Sequence, residues 1–321
     1  MKSNTTVLVT GANGFVGMAL CTELNLDESF NIIPLARNLT SSSYKLCPDL
    51  NSTSDWSHLL SGVDVVVHLA GKAHDLSGSS TLDDYRLINT VGTINLAEQA
   101  VKAGIQKFIF VSTIGVHGSV LGKEIITESS VTEALNPYTF SKLEAEKALC
   151  DIFKRYESEL IIVRPPLIYA ANAPGNFNSL LKLVAKRIPL PFGSVTNSRS
   201  HLSIDNFVSF LVKAITCSQP CAGTYVLSDD EKLSTAYTLQ VLSEGMGLKS
   251  NLFRFPYGIL KLMAKIIGKG ETLNKVCGDL VIDATKAKSV FNWQPPVPAQ
   301  ESLRKVGENY ISLQIKNKEL C

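Results

Sequence analysis

The chain has 321 residues, of which 45% are hydrophobic and 19% are charged, and its formal net charge at pH 7 is +2. Such a chain can bury a large core, and its nearly balanced charge provides no basic stripe for nucleic acid. No apolar run reaches the ~20 residues that a membrane-spanning helix needs. We therefore expect a compact protein with no nucleic acid partner and no membrane span.

The first strand follows Met1 so closely that no signal peptide fits before it, which predicts a cytoplasmic protein. The seven cysteines are scattered along the chain and show no CxxC spacing. This pattern favours neither a disulfide framework nor a metal site. We expect reduced thiols at Cys21, Cys47, Cys150, Cys217, Cys221, Cys277 and Cys321.

Five short, nearly unbroken apolar runs predict strands that are covered on both faces. They are Val7–Val9, Ile32–Leu35, Val65–Leu69, Phe108–Val111 and Leu160–Val163. Helical patterns lie between them, over Phe15–Leu24, Ser54–Leu60, Leu82–Ala103 and Tyr138–Tyr156. Because strands and helices alternate, the predicted fold class is α/β, with a doubly wound parallel Rossmann sheet.

After Arg164 this alternation ends, and proline and glycine interrupt the chain. We predict a smaller C-terminal α/β lobe that binds substrate, because ligands of open α/β sheets lie beyond the carboxyl ends of the strands. The predicted division is a dinucleotide-binding domain over 1–170, to which 205–229 return, and a substrate lobe over 171–204 and 230–321.

Within the C-terminal lobe, the sequence predicts helices over Thr235–Gly245 and Thr285–Phe291. The most apolar helical stretch is Ile259–Ile267. We expect so short a segment to pack in the core of the lobe, and contact with a membrane surface is the alternative.

Three glycines, Gly11, Gly14 and Gly17, stand between the first strand and the first helix. Glycine permits a tight turn and a close backbone approach, and a helix N-terminus offers free N–H groups to a diphosphate. Because the strand and the helix flank the glycines, we favour a dinucleotide site over an ordinary tight turn.

The second strand ends before Arg37, about 20 residues beyond the last glycine, where an NAD-selective fold usually carries an acid. No acid is present there. Arg37 would pair with a 2′-phosphate, so NADP(H) is slightly favoured over NAD(H). An exposed arginine that merely ends a strand is the alternative.

Tyr138 and Lys142 are one helical turn apart and project from the same face of the helix. A tyrosine with a pKa of ~10 is a poor acid or base at neutral pH, and a neighbouring ammonium group together with an oxidised nicotinamide lowers that pKa by favouring the phenolate. We therefore predict that Lys142 tunes Tyr138 as the acid/base. Taken by itself, this pair could also be two exposed side chains with no chemical role. The upstream glycine turn argues against that alternative.

Ser112 and Thr113 follow the strand that ends at Val111, so their hydroxyls should lie at the carboxyl edge of the sheet. There a hydroxyl can hydrogen-bond the oxygen of a reacting carbonyl. A simple turn is the alternative for these residues. His117 and His74 are weaker candidates for the same crevice, because a lone histidine is usually structural or exposed to solvent.

Further motifs extend over the whole chain. They are TGANGFVG at 10–17, Asp49-Leu50, HLAG at 68–71, Asn89 with Gly92-Thr93, VST at 111–113, YTFSK at 138–142, RPPLIY at 164–169, Arg199 six residues before Asp205, and DATKA at 283–287 ahead of FNWQP at 291–295. This ordered set resembles the extended short-chain dehydrogenase/reductase family of nucleotide-sugar epimerases, dehydratases and reductases. The resemblance implies NAD(P) as cofactor, a UDP-sugar as substrate and a homodimer.

The resemblance also implies site residues. For the cofactor they are Gly11, Asn13, Gly14, Phe15, Val16, Gly17, Arg37, Asp49, Leu50, Leu69, Ala70, Gly71, Lys72, Asn89, Val111, Tyr138, Lys142 and Pro165. The implied catalytic residues are Tyr138, Lys142, Thr113 and Ser112, and the implied substrate contacts are Thr113, His117, Tyr138, Asn176, Phe177, Arg199 and Arg254. One departure concerns His117-Gly118, where family members usually carry Tyr-Gly or Asn-Gly.

The family's sugar 4,6-dehydratases carry an acidic pair directly after the catalytic hydroxyl, whereas this chain has Ile114-Gly115. Elimination is therefore not expected. The chain looks most like bacterial reductases of UDP-2-acetamido-2,6-dideoxy-4-hexulose, which serve O-antigen (lipopolysaccharide) biosynthesis. Our hypothesis is NAD(P)H-dependent reduction of the C4 ketone. The alternatives are a 4-epimerase of UDP-hexose or UDP-N-acetylhexosamine with tightly bound NAD, and a non-catalytic dinucleotide-binding regulator.

Overall fold

The computed structural model describes residues 4–38, 41–73, 79–118 and 124–319, with no side-chain description for 317–319. The strands are β1 Thr5–Thr10, β2 Phe30–Ala36, β3 Lys45–Leu46, β4 Val65–His68, β5 Lys107–Val111, β6 Ile125–Ile126, β7 Glu159–Arg164, β8 Ile168–Tyr169, β9 Arg199–Ser200, β10 Leu202–Ser203, β11 Gly223–Val226, β12 Lys232–Leu233 and β13 Val281–Ile282. The helices are α1 Phe15–Leu24, α2 Ser57–Leu60, α3 Leu82–Arg86, α4 Gly92–Lys102, α5 Pro137–Phe153, α6 Asn176–Ala185, α7 Ile204–Thr216, α8 Thr235–Gly245, α9 Tyr257–Ile266, α10 Gly270–Cys277, α11 Thr285–Phe291 and α12 Ala299–Glu319.

Seven strands form the central sheet, in the order β11-β7-β5-β4-β1-β2-β3. Every neighbouring pair in this sheet is parallel. The strand order runs in opposite directions on the two sides of the β1–β4 pair, which defines a doubly wound sheet. The predicted α/β Rossmann fold is confirmed.

Alternate residues of the central strands belong to two separate cores, because successive side chains of a strand point to opposite faces of the sheet. In β1, Val7 and Val9 pack in the core that α1, α7 and α11 cover. Leu8, between them, faces the core that α2, α4 and α5 cover. Both faces of the sheet are therefore buried, which explains why its strands are nearly unbroken apolar runs.

The helix predicted over Phe15–Leu24 is confirmed with the same ends as α1, and the other helices predicted before Arg164 are present with different ends. The pattern over Leu82–Ala103 forms α3, a π-helical turn at Leu87–Val91, and then α4. The helix predicted to begin at Tyr138 begins at Pro137, because Asn136 caps it by accepting a hydrogen bond from the Thr139 N–H at 3.0 Å.

The C-terminal part of the chain has its own core, formed mainly by residues of α6, α8 and α12. The helices predicted over Thr235–Gly245 and Thr285–Phe291 are confirmed as α8 and α11. The chain also returns to the central sheet, where β11 pairs with β7. Among the described residues, no helix is both long and apolar enough to cross a membrane.

The expectation that Ile259–Ile267 packs in a core is wrong. This stretch forms most of α9 and the residue after it, and on α9 itself only Ala264 is buried. The helix is held to the lobe by a small apolar cluster with α10, and its other side chains face solvent.

A buried carboxylate joins the central sheet to the C-terminal core. Asp229, directly beyond β11, accepts hydrogen bonds from the Tyr169 hydroxyl at 2.7 Å, the Ser203 N–H at 3.0 Å and the Asn206 side-chain amide at 2.7 Å. Burial raises the pKa of Asp229 to about 6, so the carboxyl is ionised at neutral pH and uses all three donors.

Asp229→Asn is expected to lower the free energy of unfolding by about 2 kcal/mol, because the new amide group places a donor against existing donors in a buried site. Urea unfolding at pH 7 measures the change. Glu308→Gln, the same kind of substitution at an exposed position of α12, serves as the control and should leave the unfolding curve in place. Equal effects of the two substitutions would contradict this account.

Candidate active site

The site lies at the edge of the sheet where the parallel strands end, because their carboxyl ends all point the same way. Gly11 follows β1, Arg37 follows β2, Leu69 follows β4, Ser112 follows β5 and Pro165 follows β7. Residues predicted from distant parts of the sequence are thus gathered along one edge.

The glycine turn has no space for side chains. Gly11 has φ +68°, and a Cβ added there would lie 2.9 Å from the Ala70 backbone nitrogen. A Cβ at Gly17 would overlap the carbonyl oxygen of Gly11. Gly14 caps α1 without a side-chain hydrogen bond, and the first turn carries no acid. The free N–H groups of this turn therefore suit a diphosphate.

A buried histidine supports the loop opposite the glycine turn. His68 Nδ1 lies 2.7 Å from Thr10 Oγ1, and its Nε2 lies 2.9 Å from Thr93 Oγ1. Thr10 Oγ1 also accepts a hydrogen bond from the Ala70 N–H at 3.2 Å. Burial lowers the pKa of His68 to about 3, and the Lys142 charge adds to this, so the ring stays neutral. His68 thereby fixes the end of β4 without carrying charge.

The π-helical turn directs Asn89 across the site. Asn89 Oδ1 accepts a hydrogen bond from the Lys72 N–H at 2.7 Å, and its amide group donates to the Lys72 carbonyl at 2.9 Å and to Ser141 Oγ at 3.0 Å. This one side chain connects the loop after β4 with the first turns of α5. A π turn places a side chain where a regular helix would not, and such turns are frequent at functional sites.

Lys142 is buried at the end of β5. Its ammonium group donates a 2.9 Å hydrogen bond to the Val111 carbonyl and lies 4.5 Å from the centre of the Phe110 ring. A Cβ at Gly71 would lie 3.4 Å from Lys142 Nζ, so the loop after β4 approaches the ammonium closely. Burial lowers the pKa of Lys142 to about 8, and Glu146 opposes the shift. The group is cationic at pH 7.

Tyr138 lies near Thr113, whose hydroxyl acts on the phenol. The ring of Tyr85 packs edge-on against Tyr138, with 6.3 Å between centroids. Burial raises the pKa of Tyr138 to about 12, and the nearby Thr113 hydroxyl opposes that shift. The Lys142 ammonium group is directed at the Val111 carbonyl, and the lowering of the Tyr138 pKa by this group together with an oxidised nicotinamide stays a prediction.

The two hydroxyls after β5 differ in their surroundings. Thr113 is half-buried, and its Oγ1 accepts a 3.1 Å hydrogen bond from the Gly115 N–H while contacting Tyr138. Ser112 is buried, and among the described residues its hydroxyl has no hydrogen-bond partner. The structure therefore brings Thr113, rather than Ser112, to the phenol.

His117 is buried in the protein and is not placed as the substrate contact that the resemblance implies. Its Nδ1 lies 3.1 Å from the Val131 carbonyl, and its Nε2 lies 3.2 Å from Arg164 Nη1. Arg164 in turn pairs with Glu146 in a buried ion pair. Burial and the Arg164 charge lower the pKa of His117. With both nitrogens engaged, the ring has no free group for a substrate; His74 lies outside the described residues.

A second rim of the site lies beyond β2. The Asn13 side chain donates a 3.4 Å hydrogen bond to the Asn38 carbonyl, which places the segment after β2 beside the glycine turn. Arg37 and Asp49 are both exposed, and both act electrostatically on the Cys47 thiol, whose pKa burial raises to about 11. A cation and a carboxylate therefore stand together at this rim.

The other predicted cofactor residues are apolar and partly buried. Leu50 packs against Gly92, where an added Cβ would lie 2.6 Å from it. Val16 and Leu69 pack against the sheet core, whereas Phe15 packs against the C-terminal core. Pro165 is buried and accepts a backbone hydrogen bond from Ile114. These contacts position the edge loops relative to one another.

The predicted substrate residues do not lie together in one place, unlike the predicted cofactor residues. Phe177 is a core residue, 5.6 Å from Tyr169 between ring centroids, so its side chain is unavailable to a ligand. Asn176 is exposed at the start of α6. Arg199 donates a 2.7 Å hydrogen bond to the Gly278 carbonyl, and Arg254 is exposed beyond β12 and α8.

A cleft of about 400 Å³ lies between α12 and the segment after β8, and Ala170, Asp205 and Lys305 are among its lining residues. None of the predicted site residues lines it. Strand ends, glycine contacts and buried polar groups place the chemistry at the sheet edge, and we locate the candidate site there.

Comparison with known proteins fits this geometry. The pattern of the NAD dependent epimerase/dehydratase family matches residues 7–227, which span the whole central sheet. The chain belongs to this family. The match includes the glycine turn, the strand-end hydroxyls and the Tyr138–Lys142 helix.

Individual relatives cover almost the entire chain. A UDP-glucose 4-epimerase of Vibrio cholerae is 34% identical over 97% of both chains. An Escherichia coli O157:H7 protein named N-acetyl-alpha-D-glucosaminyl-diphospho-ditrans,octacis-undecaprenol 4-epimerase is 28% identical over 89% of each. The crystal structure of a Bacillus cereus UDP-glucuronic acid 4-epimerase in complex with NAD has a TM-score of 0.77 at 22% identity, over 97% of this chain and 99% of that one. This last likeness shows the fold.

Sequence reasoning missed three residues that shape the family's site in this chain. Tyr85 packs on Tyr138 and also lies under the Lys72 ammonium, 5.4 Å from the ring centre. His68 was noted only as part of a motif, and Glu146 was not noted. A usable signal existed for Glu146, because it follows Lys142 by four residues and so shares its helical face.

Gly17→Ala is expected to weaken dinucleotide affinity by about tenfold or more, because the new methyl group displaces the Gly11 carbonyl and with it the turn. Fluorescence titration with NADH and NADPH measures the affinity, and thermal unfolding checks that the variant is folded. Gly258→Ala adds the same methyl group where no atom lies within 4 Å and should bind normally. Unchanged affinity in Gly17→Ala would refute the assignment of the turn.

Proposed function

We propose that this protein is a nicotinamide-dinucleotide-dependent 4-epimerase of a UDP-linked sugar. The observation that carries the proposal is the placement of Tyr138 near Thr113, and of the buried Lys142 one helical turn after Tyr138, at the carboxyl edge of the sheet. The relatives named above that act at C4 support the choice of reaction. The cysteine pattern and the described residues offer no competing metal cluster.

Epimerisation at C4 requires a group that removes the proton of the C4 hydroxyl and later returns it. A bound nicotinamide dinucleotide would supply hydride transfer in this site, held by the glycine turn, Asn89 and Lys142. Tyr138 is the residue that we assign to proton transfer, and Thr113 to orienting the sugar oxygen. The nearby Thr113 hydroxyl already opposes the rise in the pKa of Tyr138 that burial causes. Lys142, cationic at pH 7, provides positive charge at the same edge.

The segment after Thr113 argues against elimination of water. A Cβ at Gly115 would lie 2.8 Å from the Thr139 side chain, so no acidic side chain fits there without displacing that of Thr139. Ile114 packs against a small apolar cluster formed by β6, β11 and β13. Neither position can present an acid or base to a substrate, which supports a reaction confined to C4.

A second candidate function is NAD(P)H-dependent reduction of the C4 ketone of a UDP-linked 6-deoxy-4-keto amino sugar, a step of O-antigen biosynthesis. Arg37 favours it: this exposed cation ends β2 and stands beside the glycine turn, where it would pair with the 2′-phosphate of NADPH. A reductase needs a dinucleotide that enters and leaves, whereas an epimerase keeps the one it holds.

The UDP-sugar would lie between the sheet edge and the C-terminal lobe. We assign its diphosphate to Arg254 and to the guanidinium nitrogens of Arg199 that the Gly278 carbonyl does not occupy. Asn176 at the start of α6 is a further contact.

The predicted homodimer would pair α4 and α5 with their copies, and the exposed Leu87 and Phe140 of these helical segments support that arrangement.

Product analysis separates the two functions. Incubation with UDP-glucose or UDP-N-acetylglucosamine and no added cofactor is expected to yield the C4 epimer, which anion-exchange chromatography resolves. If no epimer forms, and a UDP-4-keto-6-deoxy sugar instead consumes NADPH, the epimerase proposal is wrong and the reductase takes its place. Failure of both reactions would contradict both functions.

Tyr138→Phe is expected to lower kcat by about a hundredfold or more, because the phenol that moves the proton is removed. Dinucleotide affinity should change little, since the ring and its contact with Tyr85 remain. Tyr156→Phe, the same substitution at an exposed residue, is the control for both measurements. Activity that survives largely intact in Tyr138→Phe would rule out the proposed mechanism.

A further inference from the structure

An apolar stripe is exposed on α9 and the residue after it. Its side chains are Ile259, Leu262, Met263, Ile266 and Ile267, which are between 50% and 75% exposed. The first four follow the i, i+3, i+4, i+7 spacing of a single helix face. In most globular proteins this spacing faces the core, whereas here the described structure leaves the face uncovered.

The helix is nonetheless firmly attached. Ala264 and Leu260, on the opposite side of α9, pack against Leu273 and Cys277 of α10 and against Val195. The stripe is thus presented outward by a packed helix pair. No residue of the candidate active site lies on α9, so the stripe is not explained by the chemistry at the sheet edge.

Positive charge is concentrated in the segment that carries the stripe. Lys261 and Lys265 are exposed and stand one turn apart on α9, and Lys265 borders the stripe next to Leu262. Residues 249–275 carry a single carboxylate, Glu271, although the whole chain is almost neutral. The cations of this segment are Lys249, Arg254, Lys261, Lys265, Lys269 and Lys275, all exposed.

Aromatic residues stand at the start of the helix. Phe253 is exposed and packs edge-on against Phe255, with 6.2 Å between ring centroids. Phe253 also pairs through its backbone with Leu190, which brings it near the exposed Ile188. Aromatic side chains next to an apolar face and lysines are the pattern of a helix lying in the headgroup layer of a membrane.

We propose that α9, with Ile267, binds the surface of a membrane containing anionic lipids. The stripe would enter the boundary between headgroups and acyl chains, and the lysines beside it would contact the lipid phosphates. A second copy of the chain is a poorer occupant, because a symmetric contact would bring the same cations together. The substrate lobe would then work at a membrane surface.

Co-sedimentation of the full chain with lipid vesicles tests this proposal. We expect binding to vesicles of phosphatidylglycerol mixed with phosphatidylcholine, weaker binding to phosphatidylcholine alone, and release by added salt. Ile266→Glu should lower the partition coefficient by about tenfold or more. Ile315→Glu, at an exposed isoleucine of α12, is the matched control and should bind like the wild type.

The lysines are tested in the same way. Lys261→Gln and Lys265→Gln should each lower binding to the anionic vesicles by about fivefold, whereas Lys213→Gln, at an exposed lysine of α7, should not. Circular dichroism confirms that each variant is folded.

The proposal is overturned if the wild type does not sediment with anionic vesicles, or if the control substitutions reduce binding as much as those on α9. It is equally overturned if Ile266→Glu abolishes only self-association or capture of another protein.

Discussion

The rest of the structure depends on one close backbone contact, between the turn after β1 and the loop after β4. Gly11 approaches the Ala70 nitrogen so closely that a Cβ would lie 2.9 Å from it, and Gly17 lets α1 begin directly against the turn. These contacts fix the distance between two edge loops. Everything else at the edge is positioned relative to them, including the neutral His68 that holds Ala70 through Thr10.

Three polar side chains behind the site, those of Lys142, Asn89 and Glu146, find their partners within the protein itself. Lys142 bonds the Val111 carbonyl, Asn89 bonds both Lys72 backbone groups, and Glu146 pairs with Arg164. A buried cation or carboxylate without such a partner would be strongly destabilising. The consequence for function is a site whose shape is set before any ligand arrives, which lowers the ordering cost of binding. Among the polar side chains described at this edge, only Thr113 and Tyr138 are partly exposed and also carry a hydroxyl that suits proton transfer.

Two substrate contacts implied by the resemblance are not presented to a ligand, for related reasons. His117, already a weaker candidate because a lone histidine is usually structural or exposed, has its ring in a buried network with Arg164 and Glu146. Phe177 was expected beside a ligand, and instead it packs in the C-terminal core. At both positions the sequence shows where the residue stands along the chain, but it does not show in which direction the side chain points. A single turn of backbone decides whether such a residue faces the crevice or the core.

The sequence by itself determined the parallel α/β sheet, the glycine turn and the Tyr138–Lys142 helix, because period, spacing and glycine chemistry are local properties of the chain. It did not determine that Lys142 is directed at Val111 rather than at Tyr138, since that depends on how α5 packs against β5. Nor did it determine the environment of α9, whose apolar spacing of i, i+3, i+4 and i+7 is the same whether the face is buried or exposed. Only the tertiary structure assigns that face to solvent, because burial depends on which neighbours the fold supplies.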